Sequence, residues 1–377
     1  MTAGVRVTLP RIVPLLIALA LLPAPALASV VQNLYSASVP VTSQAESARA
    51  KALQDALSEV IVKVTGSATA PGDPQVAAIV SQPEHYLQAY RYKRHVPGPD
   101  EPMFGPGAQS TLDLWAQFDP QALDRALRAA DQPIWGSERP ATLVWIAYEQ
   151  SDGQRDIVSS EAAGKVEHSV EQAAAARGVP VIFPLMDIED RSHVGFADVW
   201  GGFTDPVVQA SQRYQPDAIL IGRVGAGNLA GGTQWTLKIG AQTMHWEGIS
   251  GKPADVAAAA IQHVADIYAG KFAIRAGVGA QQIPALDIVV SDITDLTGYA
   301  RVLKYLRSLN AVNNVEPMQV AGDQVTFKVS AQGTVADLKQ TIGLGALLGN
   351  VEQAQTPALP TADTHTGPVT LHYRYQP

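Results

Sequence analysis

The sequence predicts an α+β fold made of two or three small α/β sandwich modules. Strand-like segments alternate with helical ones along the chain, and the order β-α-β-β-α occurs both near its beginning and near its end. The helical segments carry apolar residues, many of them alanine, at intervals of three and four. With 377 residues, 46% of them hydrophobic, the chain is long enough to form more than one core.

The first module is expected over residues 29–131. A strand-like stretch at 30–41 is followed by a helix whose apolar residues recur at helical spacing up to Gly66. Ser43 and Glu46 have the spacing of a capping box, which predicts where this helix begins. The remaining elements are strands at 86–94 and 111–118 and a helix that begins at Pro120.

A central α/β domain is expected over residues 140–275. The segment at 132–140, which contains proline and charged residues, resembles a linker. Parallel strands should come first in this domain and a hairpin meander last. The predicted elements are strands at 141–148, 179–183, 217–224, 233–241 and 243–248, and helices at 159–177, 205–214 and 254–272.

The third module, at 286–352, is predicted to be ferredoxin-like because its elements follow the order β-α-β-β-α. Its closing strand has two alternatives. One lies around Val351, and the other is the alternating segment 369–375 within a Pro/Thr-rich tail at 353–377.

Residues 1–28 have the pattern of a cleavable secretory signal peptide. A positively charged segment precedes an apolar stretch at 12–22, and the small-x-small sequence at 26–28 stands directly before Ser29. The alternative is an uncleaved membrane anchor, but the apolar stretch is shorter than the roughly 20 residues that a spanning helix needs. We therefore expect a mature chain in the periplasm or outside the cell, with no integral membrane span.

The chain contains no cysteine, which excludes disulfides, thiolate metal sites and cysteine nucleophiles. Its formal net charge is −8 at pH 7. Such a charge repels phosphate backbones and anionic lipids, and the sequence contains no run of basic residues. We expect no nucleic-acid partner.

One polar cluster follows the strand predicted at 179–183. Its carboxylates and imidazole are Asp187, Glu189, Asp190, His193 and Asp198. Groups of these types can hold a cation, although their spacing matches no ligand motif of fixed geometry. They are weak candidates, so the sequence assigns no metal ligand, no catalytic residue and no cofactor.

Four aromatic residues form a candidate interaction surface. Trp200 and Phe203 flank a pair of glycines, and Trp235 and Trp246 lie on neighbouring predicted strands. Tryptophan and phenylalanine are enriched where proteins meet their partners. The alternative is that these side chains pack in a core.

The residues at 35–41, YSASVPV, and the helix that leads into 62–66, VKVTG, resemble an uncharacterised exported family of Gram-negative proteobacteria that is classed as a domain of unknown function. The segment 217–224 with Trp235 and Trp246 fits the central part of that family. The resemblance implies export and no known reaction. The central part is more distantly similar to periplasmic α/β domains of the Tol type and of peptidoglycan-synthase activators.

These observations favour a non-catalytic periplasmic scaffold or adaptor that binds envelope proteins through exposed sheet edges and loops. The alternative is a periplasmic enzyme, or a small-ligand or metal binder, that uses the loop at 187–198.

Overall fold

Small sheets with helices packed on them make up the structure, a computed structural model, and confirm the predicted α+β class. The structure describes residues 31, 33–94, 112–150, 152–161, 164–225, 232–275, 282–309, 311–332, 334–344, 347–351 and 369–376. The predicted signal peptide and most of the tail at 353–377 lie outside these residues. None of the described helices is both long and apolar enough to cross a membrane.

The first unit packs helices against one face of an antiparallel sheet. Its elements are β1 (Ser36–Val41), α1 (Glu46–Thr65), α2 (Pro74–Val80), β2 (Leu87–Arg94), β3 (Leu112–Phe118) and α3 (Pro120–Ala129). Among the described residues, β3 lies between β1 and β2 and is antiparallel to both. Alternate residues of β3, Leu114, Ala116 and Phe118, are fully buried in one core with residues of α1.

The beginnings of two helices in this unit differ from the prediction. Ala45, and not Ser43, is the N-cap residue of α1, and it makes no side-chain cap. The predicted capping box is therefore wrong, since Ser43 Oγ accepts a hydrogen bond from the Ala45 backbone N–H at 3.4 Å. Helix α2 was not predicted, although Asp73 caps it by accepting from two backbone N–H groups and proline occupies its first position.

The central unit has helices on both faces of a mixed sheet. Its elements are β4 (Pro133–Ile134), β5 (Thr142–Glu149), β6 (Arg155–Ile157), α4 (Lys165–Arg177), β7 (Val181–Ile182), α5 (Ile188–His193), α6 (Phe196–Gly201), α7 (Thr204–Ser211), β8 (Ala218–Gly225), β9 (Gln234–Ile239), β10 (Gln242–Glu247), α8 (Pro253–Phe272) and β11 (Ile274–Arg275). The described strands run in the order β10-β9-β8-β5-β6, and β7 pairs with β5. The strands β5, β7 and β8 are parallel, while β9 and β10 form the expected antiparallel meander. Helices α4 and α8 share a core on one face, and α6 and α7 share a core on the other.

The third unit has one more strand than the predicted element order. Its elements are β12 (Gln282–Ser291), α9 (Leu296–Ser308), β13 (Val312–Ala321), β14 (Gln324–Gln332), α10 (Val335–Leu344), β15 (Leu348–Asn350) and β16 (Thr370–Tyr375). Both candidate closing strands are present, β15 next to Val351 and β16 within 369–375. Strand β16 lies between β12 and β15. It is parallel to β12 and antiparallel to β15, so the sheet departs from the simple ferredoxin-like order. Its alternate residues Leu371, Tyr373 and Tyr375 are buried, which explains the insertion.

The segment at 132–140, which we call the seam, packs against both the first and the central unit. It is not the exposed linker that its composition suggests. Strand β4 pairs with β11, which connects this segment to the end of the central unit. Trp135 and Arg139 are each only 1% exposed. The Trp135 backbone N–H donates to the Val64 carbonyl in α1 at 2.7 Å, so the seam also contacts the first unit.

Candidate functional site

The predicted acidic cluster is organised by an arginine from further along the chain. Asp187 is the N-cap of α5 and accepts a hydrogen bond from the Asp190 backbone N–H at 3.0 Å. Arg213 donates to both carboxylate oxygens of Asp187, at 2.8 and 2.9 Å. This bidentate contact, together with the backbone hydrogen bond, holds the pKa of Asp187 far below its usual range.

Asp190 is the buried member of the cluster, with 1% of its surface exposed. Its carboxylate accepts from the Met186 backbone N–H at 2.9 Å, from Arg213 at 3.1 Å and from the Tyr214 hydroxyl at 2.5 Å. Burial, followed by the hydrogen bond to Asp190, raises the pKa of Tyr214 to about 12. The oxygens of Asp187 and Asp190 are therefore used to fix this segment against the turn at 213–214.

Glu189 also approaches Arg213, with its Oε2 atom 3.6 Å from Nη1, whereas His193 and Asp198 have local partners. The Nδ1 atom of His193 lies 2.9 Å from the Glu189 carbonyl oxygen. Asp198 accepts from the Gly195 backbone N–H at 2.8 Å and so caps α6. Among the described residues, no three His, Asp or Glu side chains are placed to hold a metal ion.

The four aromatic residues of the predicted interaction surface do not form one patch. Trp235 is 1% exposed and stacks on the half-buried Trp246 with ring centroids 6.3 Å apart. Trp200 is half-buried and stacks on Phe196 at 5.1 Å. Phe203 alone among the four is largely exposed, at 60%.

Gly222 explains why Trp235 packs so deeply. The two residues are cross-strand partners on β8 and β9. A Cβ atom at position 222 would lie 2.1 Å from the indole ring, so the ring occupies the space that the glycine leaves. Trp235 thus serves the core of the central unit.

Among the described strands, the main sheet of each of the three units has an exposed edge strand. Strand β2 ends the first sheet and has six of its eight residues exposed. Strand β10 ends the central sheet and has an exposed or half-buried residue at every position. Strand β13 ends the third sheet, and its Met318 and Val320 are 59% and 67% exposed. Unpaired edges of this kind can accept a further strand from a partner.

Strand β2 differs from the other two edges because cations surround an aromatic ring there. In the β2–β3 register, Arg91 lies opposite Trp115 and Lys93 opposite Asp113. The Arg91 guanidinium carbon lies 4.4 Å from the Trp115 ring centroid, and Lys93 Nζ lies 5.6 Å from it. Because residues two apart share a face of a strand, both cations lie on the face opposite the α1 core.

Sequence reasoning did not single out this cationic face. The available signal was the alternation of charged and aromatic residues at 90–94, YRYKR, on a predicted strand. The structural role of this alternation depends on Trp115, because the pairing of β2 with β3 places Trp115 opposite Arg91. The sequence alone does not give that register.

Solved structures of two other proteins show limited similarity. One is the competence damage-inducible protein A from Klebsiella pneumoniae, with 15% identity, coverage of 40% of this chain and 92% of the other, and a TM-score of 0.22. The second is a competence-damaged protein superfamily member from Enterobacter cloacae, with 13% identity, coverage of 40% and 88%, and a TM-score of 0.23. These are not the Tol-type or activator domains that the sequence suggested. Scores of this size do not establish a common fold.

No curated protein matches the chain. A family does match its N-terminal part, and the matched residues, 28–136, include all the strands and helices of the first unit. This agrees with the resemblance of the segments at 35–41 and 62–66 to an uncharacterised family. The first unit is therefore similar to a domain of unknown function, DUF8605.

Proposed function

We propose that this chain is an exported, non-catalytic protein of the Gram-negative periplasm that binds other proteins through the exposed edge strands of its sheets. The observation that carries the proposal is β2, an eight-residue strand with six exposed residues that pairs with a described strand on one side only. Native proteins usually cover or shorten such an edge, because its free N–H and C=O groups pair readily with another chain.

The proposed location depends on the signal-peptide pattern at 1–28. Its test is the mass of the chain recovered from a periplasmic fraction. We expect a mature chain that begins at Ser29. Recovery of the intact precursor from the cytosolic fraction would contradict export.

The alternative of an enzyme or ligand binder that uses the loop at 187–198 has less support. The carboxylates of Asp187 and Asp190 are already bound by Arg213. A metal or small ligand would have to displace this ion pair together with the hydrogen bond from Tyr214.

Site-specific photo-cross-linking in living cells tests the proposed binding mode. A photoreactive amino acid replaces Tyr90 on β2, His245 on β10 or Met318 on β13, each in a separate variant. Two exposed helix positions, Lys51 on α1 and Arg301 on α9, serve as matched controls. We expect discrete adducts with the same protein in repeated experiments from at least one edge position and from neither helix position. Equal labelling at edges and helices, or no adduct at any edge, would refute edge binding.

A further inference from the structure

We propose that β2 binds an extended, acidic segment of a partner protein, which adds to the first sheet as a further strand. This inference rests on the proposed function and specifies one surface and one partner chemistry for it. Three features of β2 lead to it: an edge that no described strand pairs with, a row of cations without carboxylate partners among the described residues, and two tyrosines on the opposite face.

The free edge provides the backbone contacts. Eight residues at about 3.3 Å each give a strand some 26 Å long. In an antiparallel pair, alternate residues direct their N–H and C=O groups away from the neighbouring strand. Strand β2 is the last strand of the described sheet order, so no described strand pairs with these outward groups. A segment that pairs with them would gain a row of main-chain hydrogen bonds.

The charges on β2 select the partner. Arg91, Lys93 and Arg94 are exposed, and none of them forms an ion pair with a described residue. The nearest carboxylate in the strand register is Asp113, opposite Lys93. This concentration of positive charge lies in a chain whose formal net charge is −8. Opposite charges on facing strands stabilise a sheet, so the incoming segment should carry carboxylates.

The same charges disfavour two other occupants. A second copy of β2 would place arginine and lysine side chains near their own counterparts, and like charges facing each other destabilise strand pairing. A nucleic acid would approach a molecule of net negative charge and has no backbone that can extend a sheet. An acidic protein segment satisfies both the edge and its charges.

The side-chain pattern of β2 also predicts the pattern of the partner. Arg91 and Lys93 lie on one face with Trp115, and Tyr90 and Tyr92 lie on the other, 6.1 Å apart in an edge-to-face pair. Residues of the partner that lie on the cationic face should be acidic. The residues between them should be apolar or β-branched, because they lie beside the tyrosines. We therefore expect alternation of acidic and apolar residues.

A synthetic peptide tests this recognition directly. The probe is a fluorescent, end-capped decapeptide that alternates glutamate with valine, and its binding to the mature chain is followed by fluorescence anisotropy. We expect saturable binding that weakens as salt concentration rises. A peptide with lysine in place of glutamate should not bind. A glutamate peptide whose alternate backbone nitrogens are methylated keeps its charge but lacks the donors of a strand, and it should bind at least about tenfold more weakly.

Charge reversal on the chain supplies the complementary test. The double variant Arg91→Glu, Lys93→Glu should lower affinity for the glutamate peptide by at least about tenfold. The variant Lys339→Glu, on the exposed surface of α10, makes a single reversal far along the chain from β2 and should leave affinity unchanged. If loss of the Trp115 contacts unfolds the double variant, Lys93→Glu combined with Arg94→Glu retains Arg91 over the ring and still removes positive charge.

Hydrogen exchange then locates the bound peptide. Exchange of the amides at 87–94 should slow when the glutamate peptide binds, because the outward N–H groups become hydrogen-bonded. Equal binding of the methylated peptide, or binding without slower exchange in β2, would overturn the inference. If cross-links form from β10 or β13 while the peptide does not bind, the inference fails and the proposed function remains supported. If no edge cross-links to a protein, the proposed function fails as well.

Discussion

Replacement of Arg139 by lysine should weaken the seam between the first and central units. Arg139 is 1% exposed, and its five N–H donors each reach a backbone carbonyl. Its Nε donates to Gly136 at 2.7 Å. Its Nη1 donates to Arg177 and Gly178 at 2.9 Å each, and its Nη2 donates to Lys63 at 2.6 Å and Trp135 at 2.8 Å. The carbonyls of Lys63 and Arg177 belong to the last turns of α1 and α4, so one guanidinium connects both units.

The expected loss of stability follows from the number of donors. Burial lowers the pKa of Arg139 to about 9, which leaves it charged at pH 7. Lysine also carries a charge but has three donors, so at least two of the five carbonyls lose their partner. An unsatisfied buried polar group costs about 1–3 kcal/mol. We therefore expect Arg139→Lys to lower the free energy of unfolding by about 2–6 kcal/mol, a large share of the 5–15 kcal/mol typical of proteins.

Urea denaturation followed by tryptophan fluorescence and by far-ultraviolet circular dichroism measures this loss. In the wild type, we expect the first and central units to unfold in one transition, and in the variant we expect that transition to broaden or to split. The matched control is Lys51→Ala, whose ion pair with Asp55 is exposed and should contribute no more than about 1 kcal/mol. If Arg139→Lys changes stability no more than this control, the seam does not hold the units together.

Three further substitutions test other parts of the structure. Burial raises the pKa of Glu138, so the folded protein holds the proton of this carboxyl more tightly than the unfolded chain does. The stability that this proton provides is complete below the ordinary carboxyl pKa of about 4, and it is lost as the pH rises through the raised pKa of the folded protein. Glu138→Gln should therefore raise Tm at pH 8 and change it little at pH 4, and an equal change at both pH values would contradict this. Gly222→Ala should cost about 1–3 kcal/mol in thermal unfolding, because its methyl group would overlap the Trp235 ring, and an unchanged Tm would show that the ring moves freely. Tyr214→Phe removes a hydrogen bond to the buried Asp190 carboxylate and should cost about 1–3 kcal/mol in urea denaturation, whereas wild-type stability would mean that this carboxylate is satisfied without it.

Much of the fold could be predicted because it depends on local patterns. The segment at 217–224 has the apolar run AILIG at its centre and becomes β8, which is buried in the central sheet. The alanine-rich stripe at 254–272 becomes α8, with its apolar face in the main core of the central unit. In such segments the spacing of the apolar residues is visible in the sequence itself, so the sequence predicts whether the element is a strand or a helix.

The seam at 132–140 was not predictable, because its burial depends on distant parts of the chain. Proline and charged residues there are typical of a linker. Arg139 is nevertheless buried, since the carbonyls that accept its hydrogen bonds come from residues 63, 135–136 and 177–178. An arginine in isolation gives no sign that five acceptors will surround it.

The acidic loop illustrates the same limit at the predicted site. Its carboxylates suggested a cation, and a cation is indeed present, but it is the guanidinium of Arg213 from beyond α7. The sequence separation of more than 20 residues conceals this pairing. The cationic face of β2 was missed for a comparable reason, because it depends on the strand register that brings Trp115 beneath Arg91.

Hydrogen exchange on the complex with the natural partner is the most direct test of edge binding. The partner captured by cross-linking is purified, and hydrogen exchange of this chain is compared with and without it by mass spectrometry. We predict slower exchange in an edge strand, foremost at 87–94, and unchanged exchange at 187–198. Slower exchange at 187–198 with every edge strand unchanged would contradict edge binding and favour the ligand-binding alternative.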